Sequence, residues 1–252
     1  VNLLDAVLVA AAGITAGALN TVAGGGTLVT YPVLLLCGVP PVTANITSVV
    51  GLAPGYAGAV HAFRPELRGQ RHRHLALGPA AVAGAALGAV LLLVTPPGGF
   101  AGVVPVLVLV SSLLLLAQPV LAGLMPAAGE DAAARVPWPA RAGVFAASVY
   151  GAYFSAGLGV LLLAVLGIVL TDPFPRVNAL KSSLSLIIVL TAIAVYLASG
   201  HVAVGYAAVL LVASYAGGAA GGSVVRRISP AVIRYSAATL GILLALALFL
   251  KN

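Results

Sequence analysis

Apolar runs of about 20 residues recur along this chain from Leu3 to Leu250, each long enough to cross a roughly 30 Å hydrocarbon layer as a helix. Backbone in lipid must satisfy its own N–H and C=O groups, so runs of this kind fold as helices. Hydrophobic residues make up 62% of the 252 positions and charged residues 7%, against about 25% charged in soluble domains. A water-soluble fold is excluded, and no polar stretch within these residues is left to carry separate chemistry. The net charge of +7 does not point to nucleic acid. Its Arg residues fall in short connectors between apolar runs, where the positive-inside rule already expects them. The single cysteine, Cys37, excludes an intrachain disulfide and a Cys-cluster metal site. No charged n-region or small-residue cleavage site follows Val1, so no signal peptide is read there.

Hydropathy and helix breakers place helices near 3–22, 24–37, 43–62, 75–95 and 99–118, then near 140–156, 157–171, 177–199, 203–224 and 231–250. The segments 24–37 and 157–171 are short. Adding 134 to a first-half position lands on a matching residue in the second half: Gly17 on Gly151, Gly25 on Gly159, Pro41 on Pro175 and Ser48 on Ser182. The same shift takes Gly84 to Gly218, Gly88 to Gly222 and Pro96 to Pro230. Residues 1–118 and 135–252 therefore read as repeats joined by a linker, 119–134.

Charge placement decides whether the repeats are parallel or inverted. With five crossings per repeat, Arg64, Arg68, Arg71, Arg73, Arg135, Arg141, Arg176, Lys181, Arg226, Arg227 and Arg234 share one side, leaving only Lys251 of the twelve basic residues opposite. If the first two segments of each repeat fuse, the same eleven divide six to five. The positive-inside rule selects the odd count. A pair that dips in and returns leaves three crossings and the same parity. The expectation is an all-α polytopic membrane protein of two inverted repeats, about five hydrophobic segments each, with eight to ten transmembrane helices. The first two segments of each repeat are broken or re-entrant. Both termini lie outside a bacterial-type inner membrane.

Inverted repeats with interrupted helices characterise secondary transporters, whose substrate site lies near the midplane where broken ends from the two halves meet. The first break is Gly17-Ala-Leu-Asn20-Thr21-Val-Ala-Gly24-Gly25-Gly26-Thr27, and its partner runs from Gly151 through Ser155 and Gly157 to Gly159. Consecutive glycines weaken a helix by about 1 kcal/mol each relative to Ala. They permit a turn whose free N–H groups, at the positive end of a helix dipole, suit an anion. Close helix packing is the other reading of Gly24–Gly26, and it is the preferred one for Gly84, Gly88, Gly218 and Gly222.

A second polar constellation opens the third segment of each repeat: Pro41, Thr43, Asn45, Thr47 and Ser48 against Pro175, Arg176, Asn178, Lys181 and Ser182. Capping accounts for Thr43. Lys181 stands some six residues inside its helix, roughly 9 Å of rise. An ammonium at such depth costs about 2.5–3.5 kcal/mol unless it is paired or wet. It either snorkels to the surface or serves as a ligand.

The run His61, Arg64, Arg68, Arg71, His72, Arg73, His74 reads as a basic loop rather than a metal or phosphate patch. Asp5, Glu66, Glu130, Asp131 and Asp172 fall at a helix end or in connectors, so no carboxylate proton relay is visible. No Walker A motif, His-Glu-x-x-His or Ser/His/Asp arrangement is present, so neither an enzyme nor a cofactor is expected. His201, Tyr150 and Tyr153 read as interface or packing residues.

The glycine run from Gly17 to Thr27, then Pro32, Gly38-Val-Pro-Pro, Ala44, Thr47-Ser48 and Gly84 to Gly88, with their echo in the second half, resemble the TauE/SafE sulfite exporter family of toluene-sulfonate-permease-like transporters. The resemblance covers nearly the whole chain. It implies a transporter of sulfite or a small organosulfur or organic anion, with no cofactor. The candidate path is lined by Asn20, Thr21, Gly24, Gly25, Gly26, Thr27, Asn45, Thr47, Ser48, Ser155, Gly157, Gly159, Asn178, Lys181 and Ser182. The second half departs from the pattern at Leu158, which interrupts the glycine run, and at Asn178, which matches Ala44. Export fits the membrane potential, since a monoanion leaving an interior-negative cell gains about 2.3 kcal/mol per 100 mV. Another organic substrate and a non-transporting scaffold remain as alternatives. The small-residue face at Gly217–Gly222 packs either within the chain or between two copies.

Overall fold

The computed structural model describes residues 2–22, 24–123, 136–170, 172–224 and 230–251. Among them there is no strand. The helices are α1 (Leu3–Val22), α2 (Thr27–Leu36), α3 (Pro41–Ala62), the single turn α4 (Arg64–Leu67), α5 (Arg71–Val94), α6 (Pro97–Gly123), α7 (Trp138–Tyr153), α8 (Leu158–Val169), α9 (Phe174–Tyr196), α10 (Val204–Val224) and α11 (Pro230–Lys251). The protein is an all-α, multi-pass membrane protein. Prolines fix several starts: α3, α7 and α9 carry Pro within their first two positions, where no intrahelical N–H bond is lost, and follow Pro40, Pro137 and Pro173.

Prolines inside helices do less than the sequence suggests. Pro119 should close α6 and open the linker, yet the helix continues to Gly123. One missing N–H bond does not end a helix whose flanking Leu and Ala residues gain more by staying helical in an apolar surrounding. Of the expected linker, 124–134 lies outside the described residues. So do Glu130, Asp131, Arg135, Arg226 and Arg227, and the side chain of Lys251.

Segments within α1, α5 and α6, and a fourth made by α9 with the turn after it, are long and apolar enough to cross a membrane unaided. By contrast α2 and α8, with 10 and 12 residues, rise only about 15 and 18 Å, half a bilayer. Both turn back. Cys37, just after α2, lies beside Asp5 in the first turn of α1, and Asp5 accepts a 2.9 Å hydrogen bond from Tyr206 near the start of α10. The α1–α2 hairpin thus opens at the end of the bundle where α1 begins. The α7–α8 hairpin opens at the opposite end. There Asp172, after α8, pairs with Arg73 in the first turn of α5, and Trp138 and Arg141 of α7 share a groove with Leu75 and Ala76 of α5. The basic side chains among the described residues, from Arg64 to Arg234, gather at this second end, with Lys181 two turns further in.

Helices from the two halves interlace: α1 and α3 pack on α10, and α5 packs on α7 and α9. Glycines allow the approach. Gly84 and Gly88 lie against the α7 backbone at Phe145 and Val149, Gly217 lies against Ile14 of α1, and Gly218 lies against Gly55 of α3. The Gly217–Gly218 face is therefore filled from within the chain. Its continuation to Gly222 lies outside the residues whose surroundings are described.

Candidate anion site

The two helix breaks meet. Gly24, at the tip of the first hairpin, has φ +81°, and a Cβ on it would come within 2.5 Å of the Gly159 Cα at the tip of the second. No side chain fits between them, and an L-residue would also be strained by the left-handed backbone. A 2.6 Å hydrogen bond between Thr27 Oγ1 and Ser155 Oγ ties the same two tips together.

The turns are built differently. In the first, Gly24 N–H donates to Leu19 O (2.9 Å) and Gly26 N–H donates to Asn20 Oδ1 (2.8 Å). Two of the three glycine amides that the sequence offers to an anion are thus engaged within the turn. Gly25 packs against Leu115 of α6. In the second turn Phe154 is extended and Gly157, with φ +79°, caps α8. Ser111 of α6 braces it, donating to Ala156 O (3.0 Å) and sharing a 2.6 Å hydrogen bond with Tyr150 Oη. Tyr150 therefore has a polar partner as well as a packing role. The adjacent pair Ser111 and Ser112, in an otherwise apolar run, was the available sequence signal for this contact.

Polar side chains of α2, α3 and α9 surround the tips, and α3 packs directly on both α2 and α9. Thr30 donates to Ser48 Oγ (3.0 Å). Asn45 Nδ2 donates to Tyr153 O (2.9 Å), which ties α3 to the end of α7. Thr21 and Ser182 turn their hydroxyls onto their own helices, at Gly17 O and Asn178 O. Thr47 points elsewhere: its Oγ1 accepts the Ala203 N–H (3.0 Å) ahead of α10.

Several buried atoms have no hydrogen-bond partner: Asn20 Nδ2, Tyr31 Oη, Asn45 Oδ1, Asn178 Oδ1, Ser185 Oγ and the ammonium Lys181 Nζ. An orphaned buried polar group costs about 1–3 kcal/mol, and native structures hold few. Asn178, Lys181 and Ser185 recur at helical spacing, so they share one face of α9. Lys181 is 1% exposed and seven residues past the start of α9, about 10 Å of rise. It does not snorkel out. Tyr31 was not singled out from sequence; it packs edge-on against Phe154 at 5.5 Å and lines a cavity of about 430 Å³ with Val39, Val104 and Leu248.

The basic run at the second end is not a plain loop. Arg73 is 3% exposed and Asp172 6%, joined at 2.6 Å, with Arg176 Nε on the other carboxylate oxygen at 3.4 Å. Gln70 Nε2 donates to Arg176 O (3.0 Å), and His74 Nε2 shares a 2.6 Å hydrogen bond with Ser183 Oγ. These contacts fasten the start of α5 to the start of α9. A connector charge reads as solvated only while its partner, distant in sequence, is unknown. No cluster of metal-ligating side chains occurs among the described residues.

The model of the sulfite exporter TauE/SafE family matches residues 9–248. The chain belongs to that family. No curated protein and no solved structure gives a match. Membership supports a membrane transporter role of the anion or sulfite kind in general, in accord with the apolar helices and with the motifs at Gly17–Thr27 and Gly38–Ser48.

Proposed function

We propose that this TauE/SafE member is a secondary transporter or facilitator that exports sulfite, a sulfonate or a related organosulfur anion across the inner membrane. The anion passes between the two hairpin tips. The observation that carries this reading is Lys181: an ammonium fully buried, without a partner, on a helix face shared with orphaned Asn178 and Ser185. Leaving a charge in that state costs several kcal/mol, and an anionic guest relieves it. Asn20, Thr21, Gly24–Gly26, Thr27, Asn45, Ser48, Ser155, Gly157, Gly159 and Ser182 form the surrounding wall, with Thr47 at its margin. Two halves, 1–118 and 135–252, related by inversion account for hairpins that open at opposite ends. The positive-inside rule then puts the Arg-bearing end in the cytoplasm and both termini outside.

The test is flux of radiolabelled sulfite and methanesulfonate in proteoliposomes against empty vesicles. Saturable flux that drops at least tenfold, a loss of about 1.4 kcal/mol, in a folded Lys181→Gln protein is expected. Undiminished flux in that variant would remove Lys181 from the path. Absence of flux for every anion would leave a scaffold role.

A further inference from the structure

We infer that the site selects anions by charge: it takes a guest with one negative charge and rejects dianions, so that sulfite crosses in its singly protonated form. The inference rests on the anion-transport reading above and deepens it. Lys181 is the single buried cation without a partner among the described residues. Arg73, the other buried cation there, is neutralised by Asp172. The remaining polar groups around the hairpin tips are neutral: Asn20, Thr27, Thr30, Tyr31, Asn45, Ser48, Ser155, Asn178, Ser182 and Ser185.

One positive charge meeting a monoanion leaves the buried site with no net charge. A dianion leaves one full negative charge there, out of water and with no second cation to answer it. The ionisable groups on the elements packed against α9 do not supply one. His61 of α3, Arg64 of α4, Arg71 and His72 of α5 and Arg141 of α7 are exposed, Glu66 of α4 is acidic, and His74 of α5 is held by Ser183. Tyr56 of α3, with Tyr150 and Tyr153 of α7, brings no positive charge. Arg176, on α9 itself, leans on Asp172.

The proton balance follows. Sulfite passes from monoanion to dianion near neutral pH, and the monoanion that enters the site carries its own proton. The proton is released when the anion re-equilibrates on the far side. Each sulfite moved then moves one proton, and no carboxylate relay in the protein is required.

Wild-type proteoliposomes test this with three anions: sulfite, methanesulfonate as a permanent monoanion, and sulfate as a dianion. Sulfite flux is expected to fall several-fold from pH 6 to pH 8 while methanesulfonate flux stays level. Methanesulfonate should compete with sulfite at least tenfold better than sulfate does. Sulfite flux that rises with pH, or equal competition by sulfate, overturns the charge rule while leaving anion transport intact. A methanesulfonate flux that follows the same pH curve as sulfite also overturns it, because the titrating group then belongs to the protein. No saturable flux of any of the three overturns the transport reading itself, and the charge rule with it.

Discussion

The two hairpins do the same geometric work with different materials. The α1–α2 turn spends three glycines and folds the Asn20 carboxamide onto its own backbone. The α7–α8 turn uses one left-handed glycine, Gly157, and borrows Ser111 from α6 as a brace. Their open ends differ more. The second is closed by the buried Arg73–Asp172 pair, whereas the residue matching Asp172 in the first half is the exposed Gly38 and the one matching Arg73 in the second is Ala207. Both hairpins nevertheless turn back, and their tips meet. Charge was placed on one side only: Lys181 occurs where the first half has Thr47.

Breaking the ion pair should have the largest effect on the comparison. Arg73→Ala leaves a buried carboxylate with only the outlying Arg176, and the expected loss is about 3–5 kcal/mol, read as a fall in melting temperature of the detergent-solubilised protein. The double change Arg73→Met with Asp172→Leu should recover most of that loss. A single variant as stable as wild type would show that the second hairpin is not latched there. Next comes Gly24→Ala, which forces a side chain into the Gly159 backbone from a left-handed residue. A cost of about 1–3 kcal/mol is expected, and Gly38→Ala, also left-handed but with open space around it, should cost less. Equal losses at the two positions would mean that the contact between the tips adds nothing to backbone strain. The smallest effect is expected from Asn20→Ala, which removes the carboxamide from the Gly26 amide. About 1 kcal/mol is expected, as for loss of a helix N-cap, with Ser111→Ala as the parallel test of the second turn's brace.

Much of this was legible in the sequence. The ten hydrophobic segments, the glycine breaks and the isolated Lys181 follow from hydropathy, from the cost of glycine in a helix and from the cost of an ammonium in lipid. These are local properties, and local properties survive in a single sequence. Three things were not legible. The sequence leaves broken and re-entrant forms of α2 and α8 both open, because hydropathy gives the length of a segment but not its heading, and the choice depends on where Cys37 and Asp172 end up. The Arg73–Asp172 pair joins distant parts of the chain, and the rule that explains basic connectors gives no reason to look for a buried partner. The glycine amides read as open to an anion in the sequence because Asn20, which engages one of them, reads there as a substrate ligand itself.

The contact between Gly24 and Gly159 has a mechanical consequence. Side chains between two moving parts act as cushions, because rotamers shift and absorb displacement. Where Gly24 meets Gly159 backbone lies against backbone, and beside that contact the short Thr27–Ser155 hydrogen bond ties the tips, so little is left there to absorb a displacement of one tip before it reaches the other.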